Sequence, residues 1–185
     1  MKTKNIKLTI YIILFWIILF NSILKANTIL FESENLKIEE EGNLVFSEEG
    51  TAKIPSQKIS IVGDRFIYNK LISELVVIGN VKFIDNLNNV SIDSEKATYN
   101  ELENIVFTNG NTFIDYNNKY EIISKNVFYN RNSMKISSEL DTSIFDKKKN
   151  IFNFKEGFLF DSIEEIISSK KTNIIDSDYN EYIFE

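Results

Sequence analysis

Apolar residues alternate with polar ones in short runs over most of the chain, which is typical of strands with one face against a core. The clearest example is the stretch from Ile61 to Asp85, in which ISIVGDRFIYN and ELVVIGNVKFID are separated by KLIS. Two alternating runs with a short polar connection predict a β-hairpin. The same arrangement returns after about 30 residues, so the pattern predicts a chain built from hairpins.

Each repeat contains a small or polar residue, a charged residue, and then two apolar residues spaced by two. The pairs that begin these motifs are Ser33-Glu34, Gly63-Asp64, Ser94-Glu95, Ser124-Lys125 and Lys155-Glu156, which lie 30, 31, 30 and 31 residues apart. The second strands are predicted to end on nearly the same period, at Asp85, Asp115, Asp146 and Asp176. Five units in one frame predict a repeat protein whose neighbouring units share a core.

An odd spacing inside the first strands predicts that they bend. Five residues separate Ile61 from Phe66, Ile92 from Ala97, and Ile122 from Val127. In a flat strand this spacing would place the two side chains on opposite faces. We therefore expect a β-bulge or bend at Gly63-Asp64, Ser94-Glu95 and Ser124-Lys125, which would carry each strand from one sheet to a facing sheet. The expected fold is an all-β, folded-over antiparallel sheet with an elongated apolar interior.

One stretch has a competing helical pattern. Ser162 to Ser169 (SIEEIISS) has apolar residues at Ile163, Ile166 and Ile167, which is helical spacing. In register with the other units it is a turn followed by a strand. The repeat predicts the strand.

The first 26 residues differ from the rest of the chain. Three lysines within the first seven residues are followed by an almost wholly apolar run from Leu8 to Phe20, and the stretch ends at Ala26. A charged start, an apolar run and a small final residue are typical of a secretory signal peptide. An uncleaved membrane anchor is the alternative, because the run is at the short limit for crossing a bilayer. Both interpretations place residues 27–185 outside the cytoplasm as one exported domain.

The composition excludes several classes of function. The absence of cysteine and histidine excludes disulfides, thiol chemistry, histidine-based triads and the common zinc sites. The formal net charge is −6, and it becomes −10 without the four lysines of residues 1–26, since 17 basic residues then face 27 acidic ones. Such a chain is a poor partner for nucleic acid, whose phosphates need clustered Lys and Arg.

The repeated aspartates are the best candidates for chemistry, and they do not predict an enzyme. Asp85, Asp115, Asp146 and Asp176 each close a strand at a turn, where Asp is favoured for its hydrogen bonds to the backbone. They would lie one unit apart along the stack, as a ladder and not as a converging pair. Their spacing also matches no calcium-binding loop. The sequence therefore predicts no catalytic residue, no metal site and no cofactor.

The repeat resembles the OstA-like repeat of the lipopolysaccharide-transport (Lpt) bridge family. The matching strings are GDRFIYN with IGNVKFID, SEKATYN with NGNTFID, and SKNVFYN. The resemblance covers residues 29–185 and is weaker in the first unit and in the fifth, where FLFD replaces Tyr-Asn. Tyr-Asn and Gly-Asn-Val look closer to the N-terminal periplasmic domain of LptD than to the free bridge protein LptA. The chain departs from many LptD proteins in lacking the cysteines that tie this domain to its barrel.

The resemblance implies a V-shaped antiparallel β-jellyroll that carries lipopolysaccharide across the periplasm with the acyl chains in an apolar groove. It also implies partners: other Lpt jellyroll modules, joined by pairing of edge strands, and an outer-membrane barrel. The implied location is the periplasm, in association with the outer membrane. Apolar inward side chains suit this role because they hold acyl chains without any polar site. The residues expected to line the groove are Phe66, Tyr68, Val81, Phe83, Tyr99, Phe113, Val127, Tyr129, Phe145, Phe158 and Phe160.

Two alternatives stay open at this point. In the first, the inward side chains fill a closed core, and the protein is a structural β-repeat, such as an adhesin-type scaffold, that binds no lipid. The second concerns the kind of Lpt protein, since the chain is either a free bridge module or the front part of a larger LptD-type translocon. A closed core stays dry, whereas a groove takes up an apolar molecule in a saturable way.

Overall fold

The computed structural model describes residues 28–184, which form one antiparallel sheet of 13 strands. Single-turn 3₁₀ helices at Glu40–Gly42 and Pro55–Gln57 follow the first two strands. The strands are β1 (Leu30–Glu39), β2 (Leu44–Ile54), β3 (Ile59–Asn69), β4 (Glu74–Asp85), β5 (Val90–Asn100), β6 (Ile105–Tyr116), β7 (Tyr120–Lys125), β8 (Phe128–Asn130), β9 (Lys135–Ser138), β10 (Thr142–Asp146), β11 (Ile151–Asp161), β12 (Ile166–Ile175) and β13 (Glu181–Phe184). The all-β prediction is confirmed.

Strands that follow one another in sequence also pair with one another in space. The main order is β1-β2-β3-β4-β5-β6-β7-β10-β11-β12-β13. The short strands β8 and β9 pair with each other and lie between the first half of β6 and the second half of β11. Ile166 begins β12 after a turn, so the strand predicted in place of a helix is confirmed. Within residues 28–184 the structure contains no helix with the length and apolarity that a membrane span needs. The predicted signal peptide or anchor at residues 1–26 lies outside the described residues.

Most of the long strands are interrupted near their middle. The register shifts between Val62 and Arg65 in β3 and between Ser94 and Lys96 in β5, which confirms two of the three expected bends. The extra residue lies on the partner strand, β4 in the first case and β6 in the second. Further shifts lie between Ile78 and Val81 in β4 and between Lys155 and Phe158 in β11. The third expected bend is a full break, because β7 ends at Lys125 and β8 begins at Phe128.

The bulges turn both halves of a strand towards one interior. In β3, Ile59 and Ile61 before the bulge and Phe66 and Tyr68 after it are all buried. The sheet therefore folds into two facing walls. The first wall contains β7, β10, β13 and the halves of the long strands that pair with them. The second wall contains β8, β9 and the other halves, and the buried apolar residues of both walls form one core.

Gly79 and Asn80 show why β4 bends where it does. Both residues have positive φ, +81° at Gly79 and +46° at Asn80, a conformation that glycine and asparagine tolerate best. The Asn80 amide donates to both carboxylate oxygens of Asp64 at 3.2 and 2.9 Å. A Cβ at Gly79 would overlap that carboxylate. The Gly-Asn pair of the repeat is thus the residue pair that makes the bend.

Candidate functional site

The interior between the two walls contains most of the residues predicted to line a groove. Nine of them are at most 8% exposed and belong to the core: Phe66, Tyr68, Val81, Phe83, Tyr99, Val127, Tyr129, Phe158 and Phe160. They come from both walls and from both sides of the bulges. The structure therefore brings these nine side chains into one continuous apolar region.

The prediction that Phe113 and Phe145 face inward is wrong. Phe113 is 37% exposed, while its neighbour Ile114 is fully buried. Val90 of β5 pairs with Asp85 of β4 on one side and with Tyr116 of β6 on the other. The inward residues of β6 are therefore in phase with Tyr116 and not with Asp115, and a shift of one residue reverses the face of a strand.

Phe145 is half-buried, whereas the residue before it, Ile144, is only 1% exposed. Its cross-strand neighbours are Ile151 and the exposed Glu121. Of two adjacent apolar residues in β10, the isoleucine and not the aromatic residue enters the core. Because successive side chains of a strand point to opposite faces, only one of the two can do so.

Aromatic side chains from the two walls meet across the interior. Phe83 of the first wall lies 5.8 Å from Tyr99 of the second, measured between ring centroids. Phe160 of the second wall contacts Tyr116 and Tyr120 of the first wall edge-on, at 5.3 and 5.6 Å. Such pairs stabilise the packing beyond the area that they bury. The space between the walls is thus filled by the protein's own side chains.

The repeated Tyr-Asn pairs have separate structural roles. The tyrosines Tyr68, Tyr99 and Tyr129 are buried, and the asparagines that follow them are only partly buried. Each asparagine side chain accepts a backbone N–H of the next turn: Asn69 from Leu71, Asn100 from Glu103 and Asn130 from Ser133, at 2.9–3.0 Å. The pair therefore places an aromatic ring in the core and ends the strand in a turn.

The strand-closing aspartates accept backbone hydrogen bonds in turns, as the sequence predicted. Asp85, Asp115, Asp146 and Asp176 each accept at least one backbone N–H from a residue two to four positions later. Among the described residues no group of three or more acidic side chains is placed to hold a metal ion.

Asp85 also forms a buried ion pair with Arg131, which lies in the turn that links β8 to β9. Arg131 Nε donates to Asp85 Oδ2 at 2.7 Å, and the side chains of Arg131 and Asp85 are 6% and 0% exposed. Arg131 Nη1 donates to Gln57 Oε1 at 2.9 Å and to Asn104 Oδ1 at 3.0 Å. The Tyr129 hydroxyl donates to Asp85 Oδ2 at 3.0 Å. Removing one partner of such a pair leaves a buried charge, at a cost of about 3–5 kcal/mol.

The protonation of this cluster follows from its contacts. Burial alone would raise the pKa of the Asp85 carboxyl, but the hydrogen bonds and charge of Arg131, with the Tyr129 hydroxyl, outweigh it and lower the pKa below its usual value. Burial would lower the pKa of Arg131, and the hydrogen bonds and charge of Asp85 reverse this and raise it. Burial raises the pKa of Tyr99 to about 12, although the charge of Arg131 acts against it. Asp85 and Arg131 are therefore both charged.

A second buried carboxyl, Glu101, has only one of its oxygens satisfied. The Tyr68 hydroxyl donates to Glu101 Oε2 at 2.7 Å, while Oε1 is buried with no hydrogen-bond partner among the described residues. Burial raises the pKa of Glu101, and the Tyr68 hydrogen bond opposes this only in part.

Sequence reasoning missed Gln57, Glu101 and Arg131. A signal was present, since Arg131 is one of only two arginines in the chain and follows a Tyr-Asn pair.

The apolar interior reaches both ends of the sheet. Leu36 and Ile38 of β1 pair with the buried Ser47 and Val45 and share their inward face, yet they are 49% and 57% exposed. A recess of about 440 Å³ opens there, lined by these two residues and by Ile29, Phe31, Val45 and Tyr68 among others. At the other end, Tyr182 and Phe184 of β13 pair with Ile174 and Thr172 and are also half exposed.

No protein-family model matches this sequence, and no curated protein is similar to it in sequence. Among solved structures, the chain is similar to the crystal structure of LptH from Pseudomonas aeruginosa. LptH is the LptA-homologous periplasmic component of the lipopolysaccharide transport device. The TM-score is 0.55 at 13% sequence identity, over 62% of this chain and 82% of LptH. At this identity the likeness shows the fold alone. The protein therefore has the antiparallel β-jellyroll fold of LptA-like proteins.

Proposed function

We propose that this protein is a periplasmic bridge module of lipopolysaccharide transport, which carries acyl chains between its two walls. The observation that carries the proposal is the continuous apolar interior, which is open at both ends of the sheet. A region of this kind lets acyl chains pass from one module to the next without contact with water. The fold that the chain shares with LptH supports the same role.

The proposal includes location and partners. Residues 1–26 direct export, as a signal peptide or an anchor, and residues 27–185 lie in the periplasm. The outer edges of β1 and β13 meet other Lpt jellyroll modules, because neither edge pairs with another strand in the described part of the chain. An unpaired edge offers backbone groups to a partner strand. The proposal covers both a free bridge module and the front domain of an LptD-type translocon. It also includes an outer-membrane barrel as a partner.

A structural scaffold without lipid is the second candidate, and one observation favours it. Nine of the eleven predicted lining residues are buried against other protein atoms, as they would be in a closed core. An acyl chain must therefore displace side chains or separate the walls. The two candidates differ in whether the interior takes up lipid at all.

Photo-crosslinking with matched positions distinguishes them. A photoreactive phenylalanine analogue at Phe83 or Tyr99 lies in the interior, whereas the same analogue at the adjacent Lys82 or Thr98 points to the outer face. We expect purified lipopolysaccharide to be labelled several-fold more from positions 83 and 99. Equal labelling from all four positions would refute the groove, and no labelling from any would favour the scaffold.

A further inference from the structure

The two walls are joined differently along their two long borders. At the bends, β3, β4, β5 and β6 run through from one wall to the other, so the chain and the strand ladders are continuous. At the opposite border, the turns that end the first wall meet the turns that end the second wall. We call this opposite border the seam. Its residues include Gln57, Asp85 and Lys119 of the first wall and Arg131 and Glu165 of the second.

Backbone hydrogen bonds between turns stay within one wall. Asn86 N donates to Lys58 O in the first wall, and Arg131 N donates to Asn104 O in the second. Among the described residues, the hydrogen bonds that cross the seam all involve a side chain. The Asp85–Arg131 pair and the bonds of Arg131 to Gln57 form the main group, which we call the latch.

A second group crosses the seam farther along the stack. Lys119 Nζ lies 2.6 Å from Glu165 Oε1, and the Tyr116 hydroxyl donates to the carbonyl oxygen of Ser162 at 3.4 Å. The Lys119–Glu165 pair is exposed, unlike the latch. Both groups are polar, so water can replace their contacts when the walls move apart.

We propose that the seam opens laterally to load acyl chains into the interior and that the Asp85–Arg131 latch holds it closed. This inference rests on the proposed function. The interior is filled, so a chain needs the walls to separate, and only the seam can part without breaking a strand ladder. Opening returns both latch charges to water and leaves neither buried alone, so the ion pair permits a reversible closure.

Locking the seam tests the inference directly. The chain has no cysteine, so K119C with E165C creates a unique thiol pair across the seam that a short cleavable bis-maleimide can join. The matched control is K82C with D93C, which replaces another exposed ion pair but lies wholly within the first wall. In both, a photoreactive phenylalanine analogue at position 83 reports the rate at which purified lipopolysaccharide enters.

We expect the locked seam to slow labelling at least tenfold, with full recovery after the linker is cleaved. The cross-linked control should label at the rate of the unlinked chain. If the locked seam labels as fast as the control, loading occurs through the ends and the inference fails while the proposed function stands. If the unlinked chain is not labelled at all, the proposed function fails, and the role of the latch fails with it.

Arg131→Lys gives an independent test that keeps the charge. Lysine cannot replace the guanidinium fork that contacts Asp85, Gln57 and Asn104 together, so the latch weakens without a charge being left alone. We expect labelling from position 83 to become several-fold faster. The variant should keep the circular dichroism spectrum of the unsubstituted protein and should still unfold cooperatively. An unchanged rate in the folded variant would overturn the role of the latch.

Discussion

At the scale of single residues, the face of the sheet decides what an aromatic side chain contributes. Phe83 is 1% exposed and contacts Tyr99 across the interior, whereas Phe113 lies on the outer face of the same wall and is 37% exposed. Both are phenylalanines at the same distance from a strand-closing aspartate in the sequence. They differ in phase because β6 continues one residue past its aspartate to Tyr116.

Substituting the two phenylalanines with alanine should therefore have unequal effects. We expect Phe83→Ala to lower the free energy of unfolding by about 3–5 kcal/mol, since a fully buried ring is lost and a cavity is left. Phe113→Ala should lower it by about 1 kcal/mol or less, because water already reaches that ring. Urea unfolding of both variants measures the difference. Equal losses would mean that Phe113 also packs in the core.

At the scale of the strand, the fold depends on the bulges that let one strand serve two walls. Gly79 in β4 and Gly110 in β6 occupy equivalent bends and both have positive φ, +81° and +91°. Their surroundings differ. A Cβ at Gly79 would overlap the Asp64 carboxylate, whereas at Gly110 the nearest atom, Glu95 Oε2, would be 3.8 Å away.

Substituting each of these glycines with alanine distinguishes the cost of backbone strain from the cost of losing a side-chain contact. Gly110→Ala should cost about 1–2 kcal/mol, the strain of a left-handed residue that has a Cβ. Gly79→Ala should cost about 1 kcal/mol more, since Asp64 must turn away and lose its bonds to Asn80. In an Asp64→Ala background the cost of Gly79→Ala should fall to that of Gly110→Ala. A cost unchanged by Asp64→Ala would disprove the overlap.

At the scale of the whole molecule, the exposed ends of the interior favour association in a line. Leu36 and Ile38 at one end and Tyr182 and Phe184 at the other have inward faces but no cover in the described part of the chain. Water contact with such apolar groups is unfavourable. A second copy placed end to end would cover both sets and pair the free strand edges.

Residues 27–185 should therefore self-associate as the concentration rises, which sedimentation velocity can follow. Leu36→Lys combined with Ile38→Lys should suppress association, because the charges would be buried in the contact. The unfolding free energy should change little, since both side chains are already about half exposed. A chain that stays monomeric at millimolar concentration would contradict the end-to-end contact.

The sequence by itself determined the all-β class, the hairpin repeat, two of the bends and nine of the eleven inward residues. The reason is that these features are local. Alternation with period two identifies the buried face of a strand, and an odd spacing reveals where an extra residue must be absorbed. Turn chemistry is local as well, so Asp85 and its equivalents were correctly expected to accept backbone hydrogen bonds.

Only the tertiary structure decided the phase of β6 and β10, the filled interior and the seam. Phe113 and Ile114 are both apolar, and the partner strand selects which of them enters the core. Asp85 and Arg131 are 46 residues apart and belong to different walls. No spacing rule connects them, because their contact exists only after the sheet has folded over on itself. In the folded protein, the hydrogen bonds and charge of each partner keep the other partner charged, although burial acts against both charges.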